Sequence, residues 1–273
     1  MPLVDIEQVP SGIDASRAHP ARRYDYWLGG KDNFEADRES GRLVAAAFPT
    51  IRMSAIENRR FLHRAVRHLT EEAGIRQFLD IGAGLPSAGN VHEIAQEIAP
   101  ESRVVYVDND PIVLVHARAL LNSSPEGRTA YLEADLNDPE HILGLAGVHE
   151  TIDLSKPVAL MLLAVFHFMV DDEAAHRIFR TLRERLAPGS YIVFSHATSD
   201  DLAGDPEEHR KVNNMSGIPF RVRTSAEVAE FMEGLELVEP GVSSLPHWRP
   251  NVPERERARP EDICMHGVVA RIP

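Results

Sequence analysis

Three acids that stand just behind short apolar runs, Asp80, Asp108 and Asp135, carry the most readable chemistry in this chain. Asp80 lies in the stretch QFLDIGAGLPSAG, Gln77 to Gly89, where Phe78, Leu79 and Ile81 lead into a Gly82-Ala83-Gly84 turn. Val91, Ile94, Ala95 and Ile98 then recur at helical spacing, so the stretch reads as strand, tight turn and helix. Glycine at such a turn admits a ligand to the main chain, and the free N–H groups of the new helix attract polar or anionic groups. Asp108 follows Gly82 by 26 residues, near the roughly 20 expected of a carboxylate that holds ribose hydroxyls. Asp135 sits in Glu133-Ala134-Asp135-Leu136-Asn137, where an acid can accept from an adenine amino group and Leu136 can cover the ring. The set suits a nucleoside with an amino-acid tail better than an anionic phosphate.

Named residues exclude three related motifs. A dinucleotide fingerprint needs glycine three residues after Gly84, where Ser87 stands. A phosphate-binding P-loop accepts the separation of Gly84 and Gly89 but needs Lys and then Ser or Thr, where Asn90 and Val91 stand. A nucleophile elbow needs glycine two residues before Ser87, where Leu85 stands. What remains, Asp80-Ile81-Gly82-Ala83-Gly84, resembles the first motif of the class I S-adenosylmethionine-dependent methyltransferases. The bland alternative is a plain strand-to-helix turn of any α/β protein.

The elements that position these acids follow from the pattern along the chain. Residues 1 to about 16 read as an extended arm. Pro20 opens a short helix that Gly29-Gly30 ends, and Asp32 with Glu35 and Ser54 with Glu57 look like capping boxes for two more. From Gln77 onward strands alternate with helices: Val104–Val107, Ala130–Leu132, the long run VALMLLAVFHF, Tyr191–Ser195, Leu235–Glu239 and Met265–Arg271 follow the first. Helices open at Asp110-Pro111, Asp138-Pro139, Asp171 and Thr224, and the insertion DLAGDPEEHRKVNNMSG is expected to be helical in its middle. SSLPHWRPNVPERERARPED reads as a long loop. The expectation is a Rossmann-like α/β fold with a seven-stranded, mainly parallel sheet and an antiparallel last strand. It divides into an arm and helical cap, residues 1–75, and a cofactor-binding domain, residues 76–273.

Composition narrows the partners. With 29 Lys and Arg against 42 Asp and Glu, the net charge of −13 opposes non-specific binding to nucleic acid or anionic lipid. A neutral or cationic small molecule fits better. The single Cys264 and the absence of paired Cys/His spacing point to no disulfide and no metal. The first twenty residues lack a continuous apolar core, which reads as no signal peptide, no membrane anchor and a cytoplasmic protein.

FLDIGAG, VVYVDNDP, EADLNDP, LLAVFHFM, LAPGSYIVFSHAT and GLELVEPGV are similar to successive motifs of class I methyltransferases. RRYDYWLGGKDNFEADRE and ENRRFLHRAV resemble an actinobacterial family of S-adenosyl methyltransferases formerly described as a domain of unknown function. The resemblance implies S-adenosylmethionine as cofactor, S-adenosylhomocysteine as product and an oxygen or nitrogen of an unidentified small molecule as acceptor. It places Asp80, Gly82, Ala83 and Gly84 at the methionine part, Asp108 and Asn109 at the ribose, and Asp135 and Leu136 at the adenine. Ala164, after strand four, completes the cofactor's surroundings.

Further candidates come from residue chemistry. Tyr24, Gly30, Lys31 and Asn33 lie in an aromatic and glycine-rich bend suited to fold over a cofactor and face its sulfonium, or else to pack on the sheet. Arg59 suits bidentate recognition of the methionine carboxylate, or else is a surface charge. His167 is the candidate general base, with a hydrogen-bonded sheet-edge histidine as its rival reading; His196 is a poorer candidate. Phe166 and Trp248 are the candidate acceptor contacts, with the loop of Trp248 and the segment of Lys31 expected to close the acceptor pocket together. Two rival functions stay open: another use of the same cofactor, such as aminopropyl transfer, and a non-catalytic cofactor sensor.

Overall fold

A computed structural model describes residues 13–120, 123–202, 211 and 216–273. Most of the expected arm and the expected helix of the 201–217 insertion lie outside the described residues. The strands are β1 (Gln77–Ile81), β2 (Arg103–Asp108), β3 (Arg128–Glu133), β4 (Ala159–Leu163), β5 (Tyr191–Ala197), β6 (Glu236–Leu237), β7 (Ser243–Ser244) and β8 (Met265–Arg271). They form one sheet in the order β3-β2-β1-β4-β5-β8-β6, with β7 also on β8. β1 to β5 are parallel, and β8 runs antiparallel to β5, β6 and β7. The order reverses between β1 and β4, so their carboxyl ends open the crevice where ligands bind in such sheets.

Two expectations about strands change. The sheet has eight strands among the described residues, because Ser243 and Ser244 pair with Gly267 and His266. That two-residue strand has no apolar period to reveal it. The apolar run expected as strand four stops at Leu163, since Ala164 takes a left-handed φ of 53° and Phe166–Phe168 form a 3-10 turn.

Helices cover both faces. On one lie α3 (Ile51–Glu71) and α4 (Val91–Ile98), which bury Phe61, Leu62, Val66, Leu69, Val91 and Ile94 against Phe78, Val104, Met161 and Val269. At about 1.5–3 kcal/mol for each large apolar side chain, α3 is a structural layer of the sheet. α1 (Pro20–Leu28) and α2 (Glu35–Ala47) pack on each other and on α3. The other face is covered by α6 (Pro139–Gly144), α7 (Ala146–Thr151), α8 (Asp172–Glu184) and the helix Ser225–Phe231. α5 (Pro111–Leu120) follows β2.

Caps explain where helices begin. Asp171 accepts from Ala174 N at 3.0 Å, and Thr224 and Glu227 form the expected reciprocal box. The other two boxes do not form. α2 starts after Phe34, whose N–H donates to Asp37 at 2.8 Å. α3 starts one turn earlier than expected, after Thr50, and Ser54 instead donates to the Ile263 carbonyl at 2.7 Å.

Candidate functional site

The crevice at the carboxyl ends of β1 and β4 is a cleft of about 360 Å³, within the range of about 300–1,000 Å³ usual for small-molecule sites. Asp80, Gly82, Ala83, Gly84, Asp108, Asn109, Asp135 and Leu136 all line it. Gly82 (φ 75°) folds back so that its N–H donates to Val107 O at 2.8 Å, and a Cβ there would stand 2.6 Å from the Val165 side chain. Gly84 (φ 67°) faces open space: a Cβ on it would meet nothing within 4 Å. Tyr24, Arg59 and Ala164 also line the cleft.

The charges in the cleft are unevenly satisfied. Asp108 accepts from Gly84 N at 2.8 Å and Asp110 N at 3.0 Å, one N–H on each oxygen. Burial still pushes its pKa above the ordinary value, and a carboxylate with about four acceptor positions has room for two more donors. Asp80 is 6% exposed, and among the described residues no donor is hydrogen-bonded to its carboxylate. Burial raises its pKa to about 7, opposed by Arg59 and helped by Asp108. A buried acid without a donor is suited to receive a cation. Arg59 donates to the carbonyls of Ala88 and Gly89 at 3.3 and 2.8 Å and stands beside this acid as the compensating charge. Asp135 is exposed and turns on Asn137 N at 2.9 Å.

A second, apolar cavity of about 90 Å³ adjoins the cleft. Pro20, Tyr24, Ala164 and Phe168 line both spaces. The Tyr24 hydroxyl donates to Ala55 O at 2.9 Å and accepts from Asn58, whose Oδ1 accepts from Ser195 Oγ at 2.7 Å. Ser195 Oγ accepts in turn from Ala164 N at 2.9 Å. This chain of bonds holds the left-handed Ala164 in place from α1, α3 and β5 at once. His167 lines the apolar cavity, and its buried Nδ1 has no partner among the described residues. Burial, with His196, Arg23 and Arg223 nearby, keeps its imidazole neutral, far below the ordinary pKa. His196 is committed elsewhere: Arg223 donates to its Nε2 at 2.7 Å, which makes Nδ1 the donor to Ala197 O. Burial takes its pKa down to about 3.

Five expected site residues lie outside both spaces. Gly30 is exposed beside Asp25, whose carboxylate a Cβ would meet at 1.8 Å, and Asn33 donates to the same carboxylate at 2.7 Å. These two shape the end of α1. Lys31 is exposed and lines neither space. Phe166 is wholly buried among Phe179, Phe194 and Phe231, because the 3-10 turn points it into the core. Trp248 is wholly buried edge-on to Phe61 at 5.2 Å, and Arg64 ties the carbonyls of Leu245 and Trp248 to α3. The expected closure by Lys31 and Trp248 does not form, and residues of α1 line both spaces instead. Sequence reasoning missed Arg23, Phe48, Phe220 and the Asn58–Ser195 link; the only local signal was the aromatic and basic density of RRYDYW. Among the described residues no cluster of His, Cys, Asp or Glu is arranged to hold a metal, and no helix is long and apolar enough to cross a membrane.

Comparison with known proteins adds the relationship. A family model described as S-adenosyl methyltransferase matches residues 6–273. The crystal structure of a DUF574 family protein from Streptomyces avermitilis is 49% identical, with a TM-score of 0.91 over 95% of this chain and 99% of that one. A candidate methyltransferase of Thermobifida fusca is 41% identical, with a TM-score of 0.88 over 97% of this chain and 98% of the other. No curated protein matches the sequence.

Proposed function

The chain belongs to the S-adenosyl methyltransferase family, and from that premise we propose that it methylates an oxygen or nitrogen of a small molecule seated in the apolar cavity. S-adenosylmethionine is the cofactor and S-adenosylhomocysteine the product. When bound, the cofactor supplies a methyl group made electrophilic by its sulfonium. The rest is positioning by this chain's residues.

The cofactor fits the donor set of the cleft. Asp80, lacking a donor among the described residues, would accept from the ammonium of the methionine part, and Arg59 would hold its carboxylate. Gly82, Ala83 and Gly84 let that tail lie against the main chain, Asp108 and Asn109 take the ribose, and Asp135 with Leu136 takes the adenine. The observation that carries the reading is the wall shared by the two spaces, formed by Pro20, Tyr24, Ala164 and Phe168. A nucleophile held against that wall would lie next to the cofactor space, and what these residues would contribute is its orientation and the exclusion of water. His167 accepts a hydrogen bond from the acceptor's O–H or N–H through its unpaired nitrogen. Its low pKa makes it a weak base at rest, so it takes the proton only as the new bond forms.

Isothermal titration with S-adenosylmethionine, S-adenosylhomocysteine and NAD tests the cleft. The first two should bind and NAD should not; tighter binding of NAD would overturn the assignment. Appearance of S-adenosylhomocysteine on addition of an acceptor separates turnover from mere sensing.

A further inference from the structure

Arg23 is a buried cation that has no anion paired with it among the described residues. It stands on α1, is 2% exposed and lines the apolar cavity. Its Nη1 donates to two neutral hydroxyls, Ser216 at 2.9 Å and Ser40 at 3.3 Å. Its buried Nε has no partner, and no carboxylate lies within ion-pair distance of it among the described residues. The neighbouring residue shows the contrast. Arg22 is equally buried but meets Asp110 at 2.9 Å. Asp37, whose charge Arg23 feels, is already engaged by the N–H groups of His19 and Phe34, both at 2.8 Å. The Trp27 ring, 4.9 Å from the guanidinium, gives only partial compensation.

Buried charges in folded proteins are paired, because desolvation without a partner is costly. The remaining walls are mostly apolar, with Trp27, Val44, Phe48, Phe168, Phe220 and Val222 among them. A ligand entering here therefore meets mostly hydrocarbon, with Arg23 as the cationic residue and His167, Tyr24, Ser54 and Thr198 as the other polar residues of the wall. Resting on the methyltransferase reading above, we infer that the acceptor is a small carboxylic acid with an apolar body, its carboxylate paired with Arg23 and its O–H or N–H facing His167. A guanidinium fits a carboxylate in a two-bond fork. A single cation leaves a phosphate dianion half neutralised, so phosphate esters are disfavoured. The size is also bounded: about 90 Å³ is less than the ~150 Å³ of a cavity that admits benzene, which selects compact acids.

The test uses the full chain saturated with S-adenosylhomocysteine and titrated with isovalerate, propionate, isovaleramide and propionamide. At least one acid should bind about tenfold or more tightly than its amide. Arg23→Met should abolish that preference while the affinity for S-adenosylhomocysteine stays within about twofold, since Arg23 does not line the cofactor cleft. Should that variant fail to fold, Ala47→Phe, which fills the cavity from α2, should eliminate acid binding with Arg23 intact. Equal binding of acid and amide, no binding of either acid, or a preference that survives Arg23→Met or Ala47→Phe would overturn the inference. Failure to bind S-adenosylhomocysteine strikes the methyltransferase reading itself, so the two failures are told apart in the same experiment.

Discussion

Asp80 makes the cleft sensitive to pH in a direction that can be worked out. Its carboxyl is raised from 3.8 to about 7 in the folded protein, so the native state holds the proton more tightly than the unfolded chain does. The stabilising contribution is complete below pH 3.8 and is lost as pH rises through 7. Asp80→Asn should flatten that part of a stability–pH curve measured by urea unfolding. An ammonium group bound against this carboxylate favours its charged form, so cofactor binding below pH 7 should release a proton and weaken as pH falls. Titration calorimetry in buffers of different ionisation enthalpy reads that proton; none released at pH 6 would remove Asp80 from the ammonium. Asp108→Asn removes a charged acceptor worth on the order of 1.5–3 kcal/mol, so the dissociation constant should rise about tenfold or more with circular dichroism unchanged. These acids were legible in the sequence because each ends an apolar run. Arg23 was not, since its significance lies in the partner it lacks, which no local pattern reveals.

Among the elements, α1 is fastened to the cofactor side of the sheet by charge. Asp110 meets His19 at 3.0 Å and Arg22 at 2.9 Å, with both Arg22 and Asp110 buried. Breaking such a pair from one side costs about 3–5 kcal/mol. Asp110→Asn should therefore lower the unfolding free energy in urea by that much and weaken cofactor binding as well, because Ala18 to Ala21 form part of the cleft wall. Trp248→Ala separates packing from function. The indole fills the core against Phe61, so its loss should cost about 3–5 kcal/mol while affinity for S-adenosylhomocysteine stays nearly constant. A large drop in affinity would return Trp248 to the binding site. The strand–helix alternation and the caps at Asp171 and Thr224 were readable because they are local. The start of α3 was not, because Ser54 is drawn into a bond with Ile263, 209 residues away. β7 escaped notice because two serines against β8 leave no periodic trace.

At the scale of the whole molecule, the site proposed for S-adenosylhomocysteine exists only when α1, α3 and the ends of β1, β2 and β4 are assembled. Ligand at a hundredfold over its dissociation constant should add about 2.7 kcal/mol of stability, visible as a rise in Tm that NAD does not produce. An unchanged Tm with bound ligand would mean that the site survives unfolding, contrary to this assembly. The shared wall has a different kind of consequence, for how such a protein can diverge. On the proposed assignment Pro20, Tyr24, Ala164 and Phe168 would answer to two ligands at once, so an exchange that suits a new acceptor would also disturb the hold on the old cofactor. Val44, Phe48, Phe220, Val222 and Ile263 line the apolar cavity and not the cleft. Inherited change in substrate preference has its open path through those five positions, with the shared four held still by a cofactor that does not change.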